Sequence, residues 1–98
     1  MRIEFADEQL ARIGTDEAHK LGLPIAVIKS ARIKLAQMRQ APDERTLRNM
    51  KSWHYKKLSG EREGQRSIRI NEQYRIVFLL IDAESPPVIR VIDIDDIH

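Results

Sequence analysis

From Leu58 to Phe78 the chain reads LSGEREGQRSIRINEQYRIVF, and this stretch decides the fold. Gly60 and Gly64 bracket a turn, with Arg62, Arg66 and Arg69 placing positive charge around it. From Ser67 to Asn71 the residues alternate: Ile68 and Ile70 point inward, while Ser67, Arg69 and Asn71 point outward. A period of two marks a half-buried strand. Past Tyr74 the pattern becomes the apolar run Ile76-Val77-Phe78-Leu79-Leu80-Ile81, as expected of a central strand covered on both faces. The stretch is therefore read as a hairpin leading into the middle of a sheet. Arg75 begins the central strand, where a guanidinium can clasp a phosphate through two parallel hydrogen bonds.

On the C-terminal side, Pro86-Pro87 turns the chain and Val88–Ile94 makes a last strand. On the N-terminal side, Trp53–Leu58 is read as a strand. Further back lies the clearest helix, begun by Pro24, since proline is tolerated in a first turn where its missing N–H costs nothing. Ile28, Ala31, Leu35 and Met38 form its apolar stripe, with Lys29, Arg32, Arg39 and Gln40 largely off it. Pro42 ends that helix, and Thr46–Lys51 adds a turn. Met1–Phe5 reads as a short strand and Ala6–Gly14 as a short helix stopped by Gly14, while Thr15–Leu23 is either helix or loop. One strand, two helices and then three or four antiparallel strands define an α+β fold, with the helices on one face of a mainly antiparallel sheet. The other face is left free for chemistry.

A length of 98 residues implies one domain, residues 1–98, with one modest core. There is no cysteine, which removes disulfides and thiol catalysis and fits a reducing cytoplasm. No apolar run resembles a signal peptide or approaches a membrane span, so no membrane partner is expected. The net charge of +2 hides an asymmetry. From Lys29 to Arg75 thirteen basic residues face five acidic ones, a local balance of +8; from Asp82 to His98 five carboxylates face Arg90 alone. A basic middle beside a late acidic segment suggests a polyanion surface next to a few carboxylates, unless the cations only solvate a helix and sheet edges.

No phosphate-binding glycine loop and no nucleophile elbow is present, so arginine, lysine, histidine and carboxylate must carry any chemistry. Those groups suit RNA cleavage, in which the substrate's own 2′-OH is the nucleophile and the protein supplies a base, cations and an acid. No cofactor is expected. His19, beside Lys20, reads as a surface residue. His54 stands among Trp53, Tyr55, Lys56 and Lys57, a cluster able to stack bases and hold phosphates; alternatively Trp53 and Tyr55 belong to the core, with His54 and Lys56 solvated opposite them. His98 follows Asp93, Asp95 and Asp96, whose carboxylates favour the imidazolium. A metal held by Asp95, Asp96 and His98 is the rival use, but the spacing matches no specific ligand pattern.

The stretch from Leu58 to Phe78 resembles the HigB branch of the RelE/ParE toxin superfamily, whose pattern runs L-[KS]-G-[DE]-R-x-G-x-x-S-I-R-I-N-x-x-[WY]-R-I-x-F. The ending VIDIDDIH, Val91 to His98, is similar to that family's terminal acidic-x-His. The resemblance implies a RelE-like fold and the toxin of a type II toxin–antitoxin system: a ribosome-dependent, metal-independent endoribonuclease. Arg75 then stabilises the transition-state phosphate, His98 serves as general acid or base, and Asp96 orients it or binds substrate. His54, Lys56, Arg62, Arg66 and Arg69 are assigned to the RNA. Two departures are visible: Ser59 where several members carry lysine, and Ile97 where they carry an aromatic residue. Lys56 or Lys57 then supplies the missing charge, which places Lys57 with the catalytic residues, and Trp53 or Tyr55 supplies the stacking surface. The implied partners are a HigA-type helix-turn-helix antitoxin, the ribosome with its A-site mRNA, and operator DNA only through the antitoxin complex. A ParE-like inhibitor of DNA gyrase on the same fold is the alternative.

Overall fold

The computed structural model describes residues 1–96; the expectations for Ile97 and His98 lie outside the described residues. In chain order the elements are β1 (Ile3–Phe5), α1 (Glu8–Ala11), α2 (Ile25–Gln40), α3 (Glu44–Asn49), β2 (Lys56–Lys57), β3 (Arg66–Arg69), β4 (Tyr74–Ile81) and β5 (Val88–Asp96). Single 3-10 turns occupy Arg12–Gly14, Ala18–Leu21, Lys51–Trp53 and Gly60–Arg62.

Two of the helices start where a carboxylate caps them. Asp7 Oδ1 accepts the Leu10 N–H at 2.8 Å, and Asp43 Oδ1 accepts the Thr46 N–H at 2.9 Å. Each supplies an acceptor that an initial helical turn otherwise lacks. The cap at Asp43 starts α3 two residues before the expected Thr46. In α2 Pro24 is the cap itself, one position ahead of the helix, and the extended backbone of Ala41 before Pro42 ends it. The buried stripe of α2 is the expected Ile28, Ala31, Leu35 and Met38, joined by Val27. Arg32 donates from Nε to the Ile13 carbonyl and from Nη2 to that of Thr15, both at 2.6 Å, tying the 3-10 turns to α2. The Met1 ammonium donates to the carbonyls of Arg39 at 2.8 Å and Ala41 at 2.6 Å, placing positive charge where the helix dipole is negative.

The five strands are ordered β1-β5-β4-β3-β2; β1 runs parallel to β5 and every other pair is antiparallel. Ile68 faces Ile76, Ile76 faces Ile94, Phe78 faces Val91 and Leu80 faces Ile89, so these side chains share one face. That face meets Val27, Ile28, Ala31, Leu35 and Met38 of α2, together with Leu47 and Trp53, in the core. The opposite face carries Lys56, Ser67, Arg69, Arg75, Val77, Asp93 and Asp95, all brought into line by the same register. A bulge between Val77 and Phe78 gives β5 the extra residue Ile92 without disturbing this division. Among the described residues, no helix is long and apolar enough to cross a membrane.

Four expectations are corrected. Trp53–Leu58 is not one strand, because the buried Trp53 closes a 3-10 turn and His54 adopts the left-handed backbone (φ 46°), leaving only Lys56 and Lys57 to pair with β3. The run from Ile76 to Ile81 is not covered on both faces: Val77 is buried, but Leu79 and Ile81 on the open side are half-buried. Strand β5 extends past Ile94 to Asp96 because it stays paired with Tyr74 and Arg75. Ser67 lies on the open face as expected, yet it is completely buried.

Candidate active site

Where the ends of β3 and β4 meet the segment from His54 to Leu58, the open face hollows into a cleft of about 440 Å³. Its basic lining is Arg69 and Arg75 from the two strands and Lys56 from β2; His54 from the preceding turn, Leu58, Asn71, Glu72 and Gln73 complete it. Pairing across the sheet explains the grouping. Arg69 and Arg75 are direct cross-strand partners, and Lys56 faces Ser67 one strand further out, so all project to the same side.

Arg75 is the most constrained of these residues. Its Nε–H donates to Ser67 Oγ at 2.8 Å, and its Nη2 donates to the carbonyl of His54. The left-handed turn at His54 is what directs that carbonyl toward β4. His54 Nε2 lies 3.3 Å from Arg69 Nη1. Arg69 is also tied down, donating from Nε to the Asn71 carbonyl at 3.0 Å and standing 3.9 Å from Glu72, whose side chain is almost fully exposed. Asn71 Oδ1 accepts the N–H groups of Gln73 and Tyr74, both at 2.8 Å, and so shapes the turn between β3 and β4. Burial first, and then the adjacent Arg69 charge, lower the pKa of Arg75 from the ordinary guanidinium value. Two guanidinium groups and an ammonium around one hollow are chemically suited to an anion, since Arg69 and Arg75 repel each other and an arriving phosphate would relieve that repulsion.

Of the residues expected to act on RNA, the structure brings together Arg75, His54, Lys56 and Arg69. Lys57, expected among the catalytic residues, pairs with Arg66 across β2 and β3 and projects to the helix-covered face. Arg66 on that face has Nε 3.8 Å from Glu44 of α3 and Nη1 3.3 Å from the Gly64 carbonyl. Arg62 is on neither rim of the cleft; it meets Asp93 at 3.2 Å and Gln65 at 3.1 Å. Asp96, opposite Tyr74, alternates away from Arg75 and accepts from Gln73 Nε2 at 2.9 Å. His98 lies outside the described residues. Trp53 is buried and Tyr55 meets Phe78 edge-on at 6.2 Å, so both serve the core and Trp53 cannot stack a base. Sequence reasoning missed Ser67 and the turn residues Asn71, Glu72 and Gln73. The alternation already put Ser67 on the face of Arg69, but nothing local showed that Arg75 would cover it.

Solved structures of small bacterial toxins share this fold. The YoeB/ParE toxin from Agrobacterium tumefaciens matches with a TM-score of 0.59 and 16% identity over the whole of both chains. YafQ from E. coli strain BL21(DE3) also matches at 0.59, with 15% identity, over 98% of this chain and 93% of that one. In sequence the chain is 30% identical to toxin HigB-1 of Vibrio cholerae serotype O1 over 82 residues, covering 84% of this chain and 86% of the relative. The model of the HigB-like toxin family, described as the RelE-like toxin of the type II toxin–antitoxin system HigB, matches residues 3–90. This chain belongs to that family, and a type II toxin has an antitoxin as its partner.

Proposed function

We propose that the chain is a single toxin domain that cleaves mRNA on the ribosome, acting as a metal-independent endoribonuclease in the cytoplasm. The observation that carries this reading is the cleft in which Arg75 is held from behind by Ser67 and His54 while Arg69 and Lys56 flank it. A guanidinium fixed in that way suits the charge that grows on a phosphodiester as it is attacked, and fixed donors stabilise a transition state better than mobile ones. In the reaction the 2′-OH loses its proton to a base and its oxygen bonds to the adjacent phosphorus. The bond to the 5′ oxygen breaks, and that oxygen takes a proton from an acid. The products are a 2′,3′-cyclic phosphate and a 5′-OH.

His98 is proposed for proton transfer on the strength of the terminal motif, with Asp96 as its orienting or substrate-binding carboxylate. His54, within the cleft, is the alternative proton carrier. Lys56 and Arg69 hold the RNA backbone. A HigA-type helix-turn-helix protein is proposed as the antitoxin, with operator DNA bound only through the complex. Mapping mRNA 5′ ends in translating cells after induction tests the reading. New 5′-OH ends within translated messages are expected, and they should vanish with Arg75→Ala. Growth arrest with intact messages and an induced DNA-damage response would overturn it in favour of gyrase inhibition.

A further inference from the structure

Among the described residues Ser67 is the one fully buried polar side chain. A hydroxyl removed from water needs a hydrogen-bond partner to offset its desolvation. Here the partner is the Arg75 Nε–H at 2.8 Å, and among the described residues no other side chain meets the hydroxyl at hydrogen-bond distance. Placement explains why a serine can do this. Ser67 lies in β3 between Lys56 of β2 and Val77 of β4, on the open face, diagonal to Arg75. A longer side chain there would push the guanidinium outward; alanine would leave its Nε–H without an acceptor.

We infer that Ser67 is a positioning residue: its buried hydroxyl, acting with the His54 carbonyl, fixes the plane of the Arg75 guanidinium so that the remaining N–H groups face the cleft. An arginine carries five N–H donors. Ser67 takes the one on Nε and His54 takes one on Nη2, which leaves three for an oxyanion. Ser67 itself touches no substrate. Its hydroxyl determines the direction in which the guanidinium points, and at a phosphodiester in mid-reaction a misdirected donor is lost to the transition state.

The inference rests on the RNA-cleavage reading, and its test separates the two. Full-length protein carrying Ser67→Ala, Ser67→Thr or Arg75→Ala is compared on a short mRNA bound to purified ribosomes. Ser67→Ala should lower kcat on the order of 10- to 100-fold with KM unchanged, since the contact matters in the transition state and not in binding. Ser67→Thr keeps the hydroxyl and should restore cleavage. In the folded protein, the Arg75 Nε–H resonance should exchange with solvent faster in Ser67→Ala than in Ser67→Thr, with both variants unfolding as cooperatively as the parent. If Ser67→Ala cleaves at the parental rate while Arg75→Ala is inactive, the inference alone is overturned. If Arg75→Ala cleaves fully, Arg75 has no part in the reaction and the inference is overturned with it, whereas a parent protein that leaves ribosome-bound mRNA intact overturns the cleavage reading itself.

Discussion

At the residue scale the proposed function makes the identity of position 75 matter more than its charge. Arginine can spend one edge on Ser67 and the His54 carbonyl and still offer donors to a phosphate. Lysine keeps the charge but has no Nε–H fork, so Arg75→Lys should lose on the order of 10²- to 10³-fold in cleavage rate, the range seen when one fixed donor is removed. Parental cleavage by Arg75→Lys would reduce the role of this residue to a point charge. Tyr55 supplies a second prediction, on the other face of the sheet. Burial dominates its environment and pushes its pKa up to about 12, with Arg66 opposing and Glu44 reinforcing the shift. The folded chain thus holds the phenolic proton more tightly than the unfolded chain, whose tyrosines titrate near pH 10. The contribution to stability is complete below pH 10 and is lost as pH rises through about 12. Ultraviolet titration should show a late component in the folded protein that disappears in denaturant. A folded protein without that component would contradict the burial of the ring.

At the element scale, stability is concentrated where α2 meets the middle of the sheet. Phe78 on β4 is completely buried, faces Val91 across β5 and meets the edge of Tyr55. Truncation to alanine removes a large ring from a site with little room to collapse, so Phe78→Ala should cost about 3–5 kcal/mol in urea unfolding. Ile33, on the outward side of α2, is 61% exposed, and Ile33→Ala should stay within about 0.5 kcal/mol. A reversed order would mean that this face of α2 is covered in solution. The same contrast explains which elements the sequence makes legible. The stripe in α2 and the alternation in β3 are periodic, and periodicity is imposed by burial, so both can be read from the chain alone. The segment from Lys51 to Lys57 has no such period. Its course depends on Trp53 entering the core and on His54 accepting a left-handed backbone, which are tertiary events. The site divides in the same way. Arg75 stands out in sequence because a charge opens an apolar strand, whereas Ser67 acquires its meaning only once two strands are paired.

For the molecule as a whole, a net charge of +2 is too small to attract RNA strongly, so the proposed function requires recognition through the way the charge is distributed. The pleat separates neighbours in the chain: Lys56 and Arg69 face the cleft with Arg75, while Lys57 and Arg66 face the helices, Arg66 beside Glu44. At physiological salt the screening length is about 8 Å, so a charge on the wrong side of the sheet contributes little to a strand lying in the cleft. Lys56→Ala and Lys57→Ala change the net charge equally and differ only in the face they alter. Each phosphate contact to single-stranded RNA adds about −0.7 to the slope of log K against log salt concentration. Lys56→Ala should therefore make the slope shallower by about 0.7, and Lys57→Ala should leave it unchanged. Titration of a short single-stranded RNA across a range of salt concentrations measures both. Equal losses from the two variants would mean that the protein attracts RNA through its overall charge and that the cleft holds no phosphate.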